Sequence, residues 1–239
     1  MTFSIKRFKA MVAKEWKDAI RNPQILLNGG MPILIALLFN QKEEAAGDLT
    51  VLAIPILVAI SITGAFVQAA MIAEEKEKNT LRALMLSPAT KLEVLAGKSA
   101  VTALFACMVM AACVLLMSGI PDVNPAVLIL LSLLLLLIFM FLGTVIGLIA
   151  RTASESSIAG LPVLLLFIFG PLFVPDMDLP ALMRVIHVLP SYQFMVAVGE
   201  LLQGGELGKI AGSLLNLIVW VLVSGALCFL VYGMKRYDK

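Results

Sequence analysis

Histidine occurs once in this chain, as His187, and cysteine three times, as Cys107, Cys113 and Cys228. One histidine leaves no HExxH pair for a metal-dependent intramembrane protease. A pairing of His187 with Ser191, close together on a proline-broken segment, is a poor basis for a serine protease. The cysteines lack metal-ligand or redox-motif spacing and fall inside apolar runs, where a small buried thiol is ordinary packing. Charge is scarce too: 14% of the residues are charged against 61% hydrophobic, which removes the chain from the usual range of water-soluble domains. No metal site and no nucleic-acid partner are expected.

Apolar sequence fills the chain instead, in six runs at approximately 24–40, 51–73, 99–118, 126–149, 157–175 and 212–233. About 20 apolar residues cross a hydrocarbon core as a helix, and lipid-exposed backbone must satisfy its own hydrogen bonds. The expected fold is therefore an all-α membrane protein, a six-span bundle forming one domain over residues 1–239. The first run follows a charged amphipathic stretch and precedes no small-residue cleavage site, so it reads as a retained span rather than a secretion signal. No Asp, Glu, Lys, Arg or His lies within the six runs. An ion-coupled transporter uses such groups to bind its ion or relay protons, so the energy source is expected outside the bundle. Polar residues such as Ser61, Gln68, Ser99 and Thr144 read as interhelical hydrogen-bonding groups. The GxxxG of Gly143 and Gly147 signals close helix packing, either within one subunit or between two.

Orientation follows from the cations, because short cytoplasmic loops carry the excess of Lys and Arg. With six spans, one side holds all of the 18 basic residues except Lys42, Arg184 and Lys209. Both termini are expected on that cytoplasmic side. Residues 4–21 place Phe8, Val12 and Trp16 on an apolar stripe with the lysines mostly off it, which predicts an interfacial amphipathic helix capped by Ser4 and stopped ahead of Pro23. Residues 176–211 are too apolar for a solvated loop and are broken at Pro180 and Pro190. They read as a re-entrant helical pair on the outer face.

Charge concentrates in one place, Glu74 to Pro88, "EEKEKNTLRALMLSP". Glu74, Glu75 and Glu77 are expected to carry the second span on into water. Thr80 can cap a two-turn helix whose Leu81, Leu84 and Met85 share a face, and Ser87-Pro88 stops it. "TKLE" at 90–93 has the capping-box form, with Glu93 reaching back to Thr90. A short two-faced helix held below two spans suits a grip for a cytoplasmic partner. "GKS" at 97–99 is not a Walker A loop, since Leu92 stands where its first glycine belongs; Lys98 is expected to snorkel at the membrane surface.

These residues carry a family likeness. Glu75, Lys76, Glu77, Thr80, Leu81, Leu84, Ser87, Pro88 and Lys98 match the coupling segment, residues 74–98 here, of ABC-2 type permeases, and the chain resembles that family throughout. "RNP" after the first helix, six spans and "LP" at 179–180 and 189–190 extend the resemblance, while Arg82 stands where an acid is frequent. The resemblance implies a non-catalytic exporter subunit in a prokaryotic plasma membrane, paired with a second permease as homodimer or heterodimer. It also implies two cytoplasmic ATPase subunits, gripping the segment from Glu74 to Pro88, that hold ATP and Mg²⁺, and an outer lid bearing Pro180 and Pro190. A non-transporting membrane scaffold or immunity subunit is the alternative that sequence leaves open.

Overall fold

Asn22 and Pro23 divide the first helix from the second. Helix α1 spans Ile5–Ala19 and α2 Pro23–Asn40. The Asn22 Oδ1 accepts the Gln24 N–H at 3.0 Å, and proline is at home in the first turn, where its missing N–H costs nothing. Ser4 occupies the N-cap of α1, but its hydroxyl makes no capping bond; the expected cap is replaced by a contact described below. The computed structural model describes residues 4–40, 49–78, 91–116, 123–173, 180–204 and 207–234.

Helix α3 starts as Leu49–Ala59, widens into a π-helical stretch Ile60–Val67 and ends as Gln68–Glu77. Helices α4 and α5 span Lys91–Leu116 and Pro125–Ile149, α5 beginning with Asn124 Oδ1 accepting the Ala126 N–H at 3.1 Å. Helix α6 comprises Ala153–Leu164, a π-helical turn Leu165–Phe169 and Gly170–Phe173. Helices α7 and α8 are Pro180–Val188 and Pro190–Leu202, and α9 is Leu207–Met234. Six of these are long and apolar enough to cross a membrane: α2 to α6 and α9. The chain is an all-α multi-pass membrane protein.

Helix α3 is the axis of the bundle. Its apolar window is 89% buried inside the protein, against 17% for α9, and it packs on α2, α4, α5, α6 and α8. Small residues make this possible. A Cβ on Gly143 would lie 2.4 Å from the Ala65 carbonyl oxygen, and one on Gly147 would lie 2.7 Å from that of Ala69. The GxxxG motif is therefore used within the subunit, between α3 and α5.

The sequence-derived span limits were short at one end. Helix α4 begins at Lys91, eight residues ahead of the apolar limit at 99 and within the capping-box stretch 90–93, α3 runs past 73 to Glu77 along its expected charged extension, and α6 starts at Ala153 rather than 157. Hydropathy marks where grease begins; these helices continue past it because their terminal charges find partners.

At the far end, α7 and α8 bend by 78° about Leu189. Helix α8 touches the first segment of α3 and the last segment of α6, as well as α5 and α9, and its Phe194, Ala197 and Val198 lie in the main core. The bend points inward. The Val188 carbonyl accepts from Trp220 Nε1 at 2.7 Å and Asn216 Nδ2 at 3.3 Å, groups roughly 14–20 Å along α9 at 1.5 Å per residue. The pair therefore re-enters the bundle. Pro180 opens α7 on the surface, Pro190 opens α8 in the interior, and the His187 ring stacks on Tyr192 with centroids 4.6 Å apart. The Ser191 hydroxyl is buried without a hydrogen-bond partner, so no Ser-His pair forms.

Gly143→Ala drives a methyl into the Ala65 backbone and is expected to cost about 1–3 kcal/mol. Gly30, with open space around it, tolerates the same change or gains slightly. Unfolding midpoints of the two variants in mild detergent measure the contrast.

Candidate functional site

Successive residues of an α-helix point 100° apart, so four consecutive side chains on a central helix meet four different neighbours. This is the arrangement at the end of α3. Glu74 Oε2 accepts from Asn22 Nδ2 at 3.4 Å, at the α1–α2 turn, and its other oxygen pairs with Lys78. Glu75 Oε1 lies 3.0 Å from Lys98 Nζ of α4. Lys76 Nζ donates to the Leu148 carbonyl at 2.7 Å and to that of Ala150, satisfying the orphan carbonyls at the end of α5 and the negative end of its dipole. Glu77 Oε2 accepts the Ala153 N–H at 3.0 Å, at the positive start of α6. Thr152 caps the same helix by accepting the Glu155 N–H at 3.1 Å, and Glu155 in turn accepts the Arg151 N–H at 2.7 Å.

The expectation that the three glutamates lead α3 into water is therefore corrected. Glu75 is buried, Glu74 is half-buried and only Glu77 is exposed. Thr80, Leu81, Leu84, Met85, Ser87 and Pro88, with Thr90, lie outside the described residues.

Lys98 does not snorkel. It is 4% exposed, between Glu75 and Glu15, whose Oε2 is 2.7 Å from Nζ. Two carboxylates offset the cost of burying this ammonium group away from water. Glu15 is also 2.8 Å from Lys14. Burial pushes the Glu15 carboxyl up, but Lys98 and Lys14 pull harder and leave it below the ordinary glutamate range. The rest of "GKS" is structural too: Gly97 admits Met11, whose Cγ a Cβ would approach to 2.7 Å, and Ser99 Oγ accepts from Gln68 Nε2 at 3.0 Å. Gln68 also reaches Thr144 at 3.1 Å, so interhelical bonds join α3, α4 and α5 as expected for these three residues, whereas the Ser61 hydroxyl is buried with no hydrogen-bond partner.

Helix α1 is clamped to α4 at a second point. Glu93, fully buried, accepts the Ser4 N–H at 2.6 Å and a forked contact from Arg7, with Nε at 3.1–3.2 Å and the terminal nitrogen at 3.0 Å. Of the apolar stripe, Phe8, Val12 and Trp16 are half-buried; the row turned fully inward is Met11, Glu15 and Ala19. Glu15 and Arg7 were not singled out from sequence, and Glu93 was read there only as the capping-box partner of Thr90, not as the anchor of α1. The available signal was an acid spaced by four from Met11 and from Ala19, opposite a lone lysine two turns into a span.

Six membrane-crossing helices, a re-entrant pair and a charged hub that ties the end of α3 to five other helices define a polytopic membrane permease built around its second span. The ABC-2 family transporter protein pattern matches residues 9–230, and the chain belongs to that family. It is a membrane subunit of an ABC transporter. No curated protein matches the chain.

Lys98→Met removes the cation between two buried carboxylates, leaving Glu15 only its Lys14 contact, and is expected to cost about 3–5 kcal/mol, most of it recovered when Glu15→Met and Glu75→Met are added. Hydrogen-exchange protection of the α1 amides reports it. A carboxyl held low stabilises the fold above its unfolded pKa and loses that contribution as pH falls through the folded one. Protection of α1 should therefore be flat near neutrality and decline below about pH 4.

Proposed function

We propose that this chain is the permease of an ATP-driven exporter and that residues 79–90 receive the push of a separate ATPase. The observation that carries the reading is the hub: the residues immediately ahead of that segment tie the end of α3 to α1, α2, α4, α5 and α6 at once. A displacement at Lys78 is then shared by the ends of five other helices, a rigid-body input rather than the bending of one loop. Glu74, Glu75 and Glu77 act inside the subunit in this reading, spreading motion, while Leu81, Leu84 and Met85 fill the partner's groove, with Thr80, Ser87 and Pro88 fixing the length of that helix.

Two ATPase subunits holding ATP and Mg²⁺ serve a pair of permeases, and this chain binds no nucleotide itself. The strong bias of Lys and Arg to one side puts α1, the hub and both termini in the cytoplasm, with the chain in a prokaryotic plasma membrane. The re-entrant pair bearing Pro180 and Pro190 closes the path from outside.

Leu84→Asp is expected to leave membrane insertion intact while abolishing co-purification of the ATPase and transport. Lys76→Met is expected to keep the ATPase bound but reduce substrate-stimulated hydrolysis. Normal binding and transport by Leu84→Asp would end the proposal.

A further inference from the structure

Helix α1 turns three rows of side chains in three directions. Met11, Glu15 and Ala19 face the bundle. Phe8, Val12 and Trp16 flank it, and Lys9, Ala13, Lys17 and Arg21, one residue further on, are exposed. Two clefts follow from this. One, of about 340 Å³, is lined by Phe8, Lys9, Val12, Ala13, Trp16 and Leu104, with walls that are almost wholly apolar. The other, of about 380 Å³, is lined by Ala10, Ala13, Lys14, Lys17, Asp18 and Arg21. They meet at Ala13, whose small side chain leaves the boundary open.

The charges of the second cleft are unequal. Lys14 is taken up by Glu15 at 2.8 Å and Asp18 at 3.6 Å. Lys17 and Arg21 of this cleft, and Lys9 of the apolar one, have no carboxylate partner among the described residues. Three cations beside a greasy cleft match an amphiphile whose anionic group joins directly to apolar tails. Leu104, the far wall of the apolar cleft, is 49% exposed and belongs to the membrane-crossing stretch Glu93–Leu116. That wall stands at hydrocarbon depth, where a water-soluble partner does not reach.

We propose that α1 seats one anionic phospholipid of the leaflet in which it lies. An acyl chain occupies the cleft between Trp16 and Leu104, and the phosphate is held by Lys17 and Arg21, one turn apart in the second cleft, with Lys9 adding positive charge at the edge of the apolar one. Basic groups at such a surface favour anionic headgroups by roughly fivefold each, and guanidinium and ammonium are the usual phosphate donors.

Trp16 reports on the cleft directly. The full chain is reconstituted in vesicles containing acyl-brominated phosphatidylglycerol or acyl-brominated phosphatidylcholine at equal mole fraction, and the Trp16 signal is taken as wild type minus Trp16→Phe. Quenching by the anionic lipid should require at least about fivefold less lipid. The Lys9→Gln, Lys17→Gln, Arg21→Gln triple variant should abolish the difference, with α1 hydrogen-exchange protection unchanged. Mass spectrometry after an extensive detergent wash should find anionic phospholipid retained by the wild type and lost from the triple variant. Equal quenching by the two lipids overturns the proposal, as does an anionic preference that survives the triple change. Trp16 shielded only when an ATPase partner is added, and by neither lipid, would assign the surface to protein and also overturn it.

Discussion

An ammonium group removed from water stays charged only where carboxylates replace the lost solvent, and that requirement positions much of this protein. Lys98 lies between Glu15 of α1 and Glu75 of α3, so three separate helices must converge on one point or leave a buried charge bare. Removing Lys98 does not relax the constraint, because two buried carboxylates are then left side by side without the cation between them. A second buried carboxylate, Glu93, imposes the same condition nearer the start of α1 through Arg7 and the Ser4 amide. Two such fixings, separated along α1, set its direction as well as its position. An amphipathic helix that could have drifted on the bilayer surface is thereby made part of the bundle.

The remaining charges at the end of α3 solve a different problem. Helix α5 finishes, and α6 begins, with backbone groups that no intrahelical bond satisfies. Lys76 answers the carbonyls and Glu77 answers an amide, each with the sign its helix end favours. The turn between α5 and α6 therefore has its geometry dictated by a third helix. This explains why a chain so poor in charge places Glu74, Glu75, Lys76 and Glu77 in a row: an axial helix meets a different neighbour at each of these steps round its circumference, and each neighbour needs its own partner.

Much of this was legible in the sequence. Hydropathy and length are sufficient for six spans, because a helix is the cheapest way to carry backbone through hydrocarbon, and Pro180 and Pro190 with a long apolar stretch were sufficient for a broken pair. The charged stretch was located correctly, but its direction was not. Glu74 and Glu75 read as solvated because sequence shows only that a residue is charged, and a buried carboxylate differs from a solvated one through a partner remote in the chain. Lys98 misread for the same reason, its partners lying 23 and 83 residues away, at Glu75 and Glu15. Gly143 and Gly147 show the same limit: the motif declared close packing, and only the fold could name Ala65 and Ala69 as the surface approached.

Where motion can pass through the bundle is constrained by which contacts are polar. Helix α8 is bonded to α9 through Gln193 and Ser213 at 2.8 Å, and the turn ahead of it is held by Asn216 and Trp220. Against α3 it makes apolar contact only, with no side-chain hydrogen bond among the described residues. Sliding α3 past α8 exchanges one apolar surface for another, whereas separating the re-entrant pair from α9 breaks three hydrogen bonds, that of Gln193 with Ser213 and those of the Val188 carbonyl with Asn216 and Trp220. Helix α3 in turn cannot leave α5 without reopening the contact of Ala65 on Gly143, which lies within its π-helical stretch. Helix α5 packs on α9 as well as on α3, so α3, α5 and α9 hold together, and the contact of α3 with α8 is the one here made of apolar surface alone.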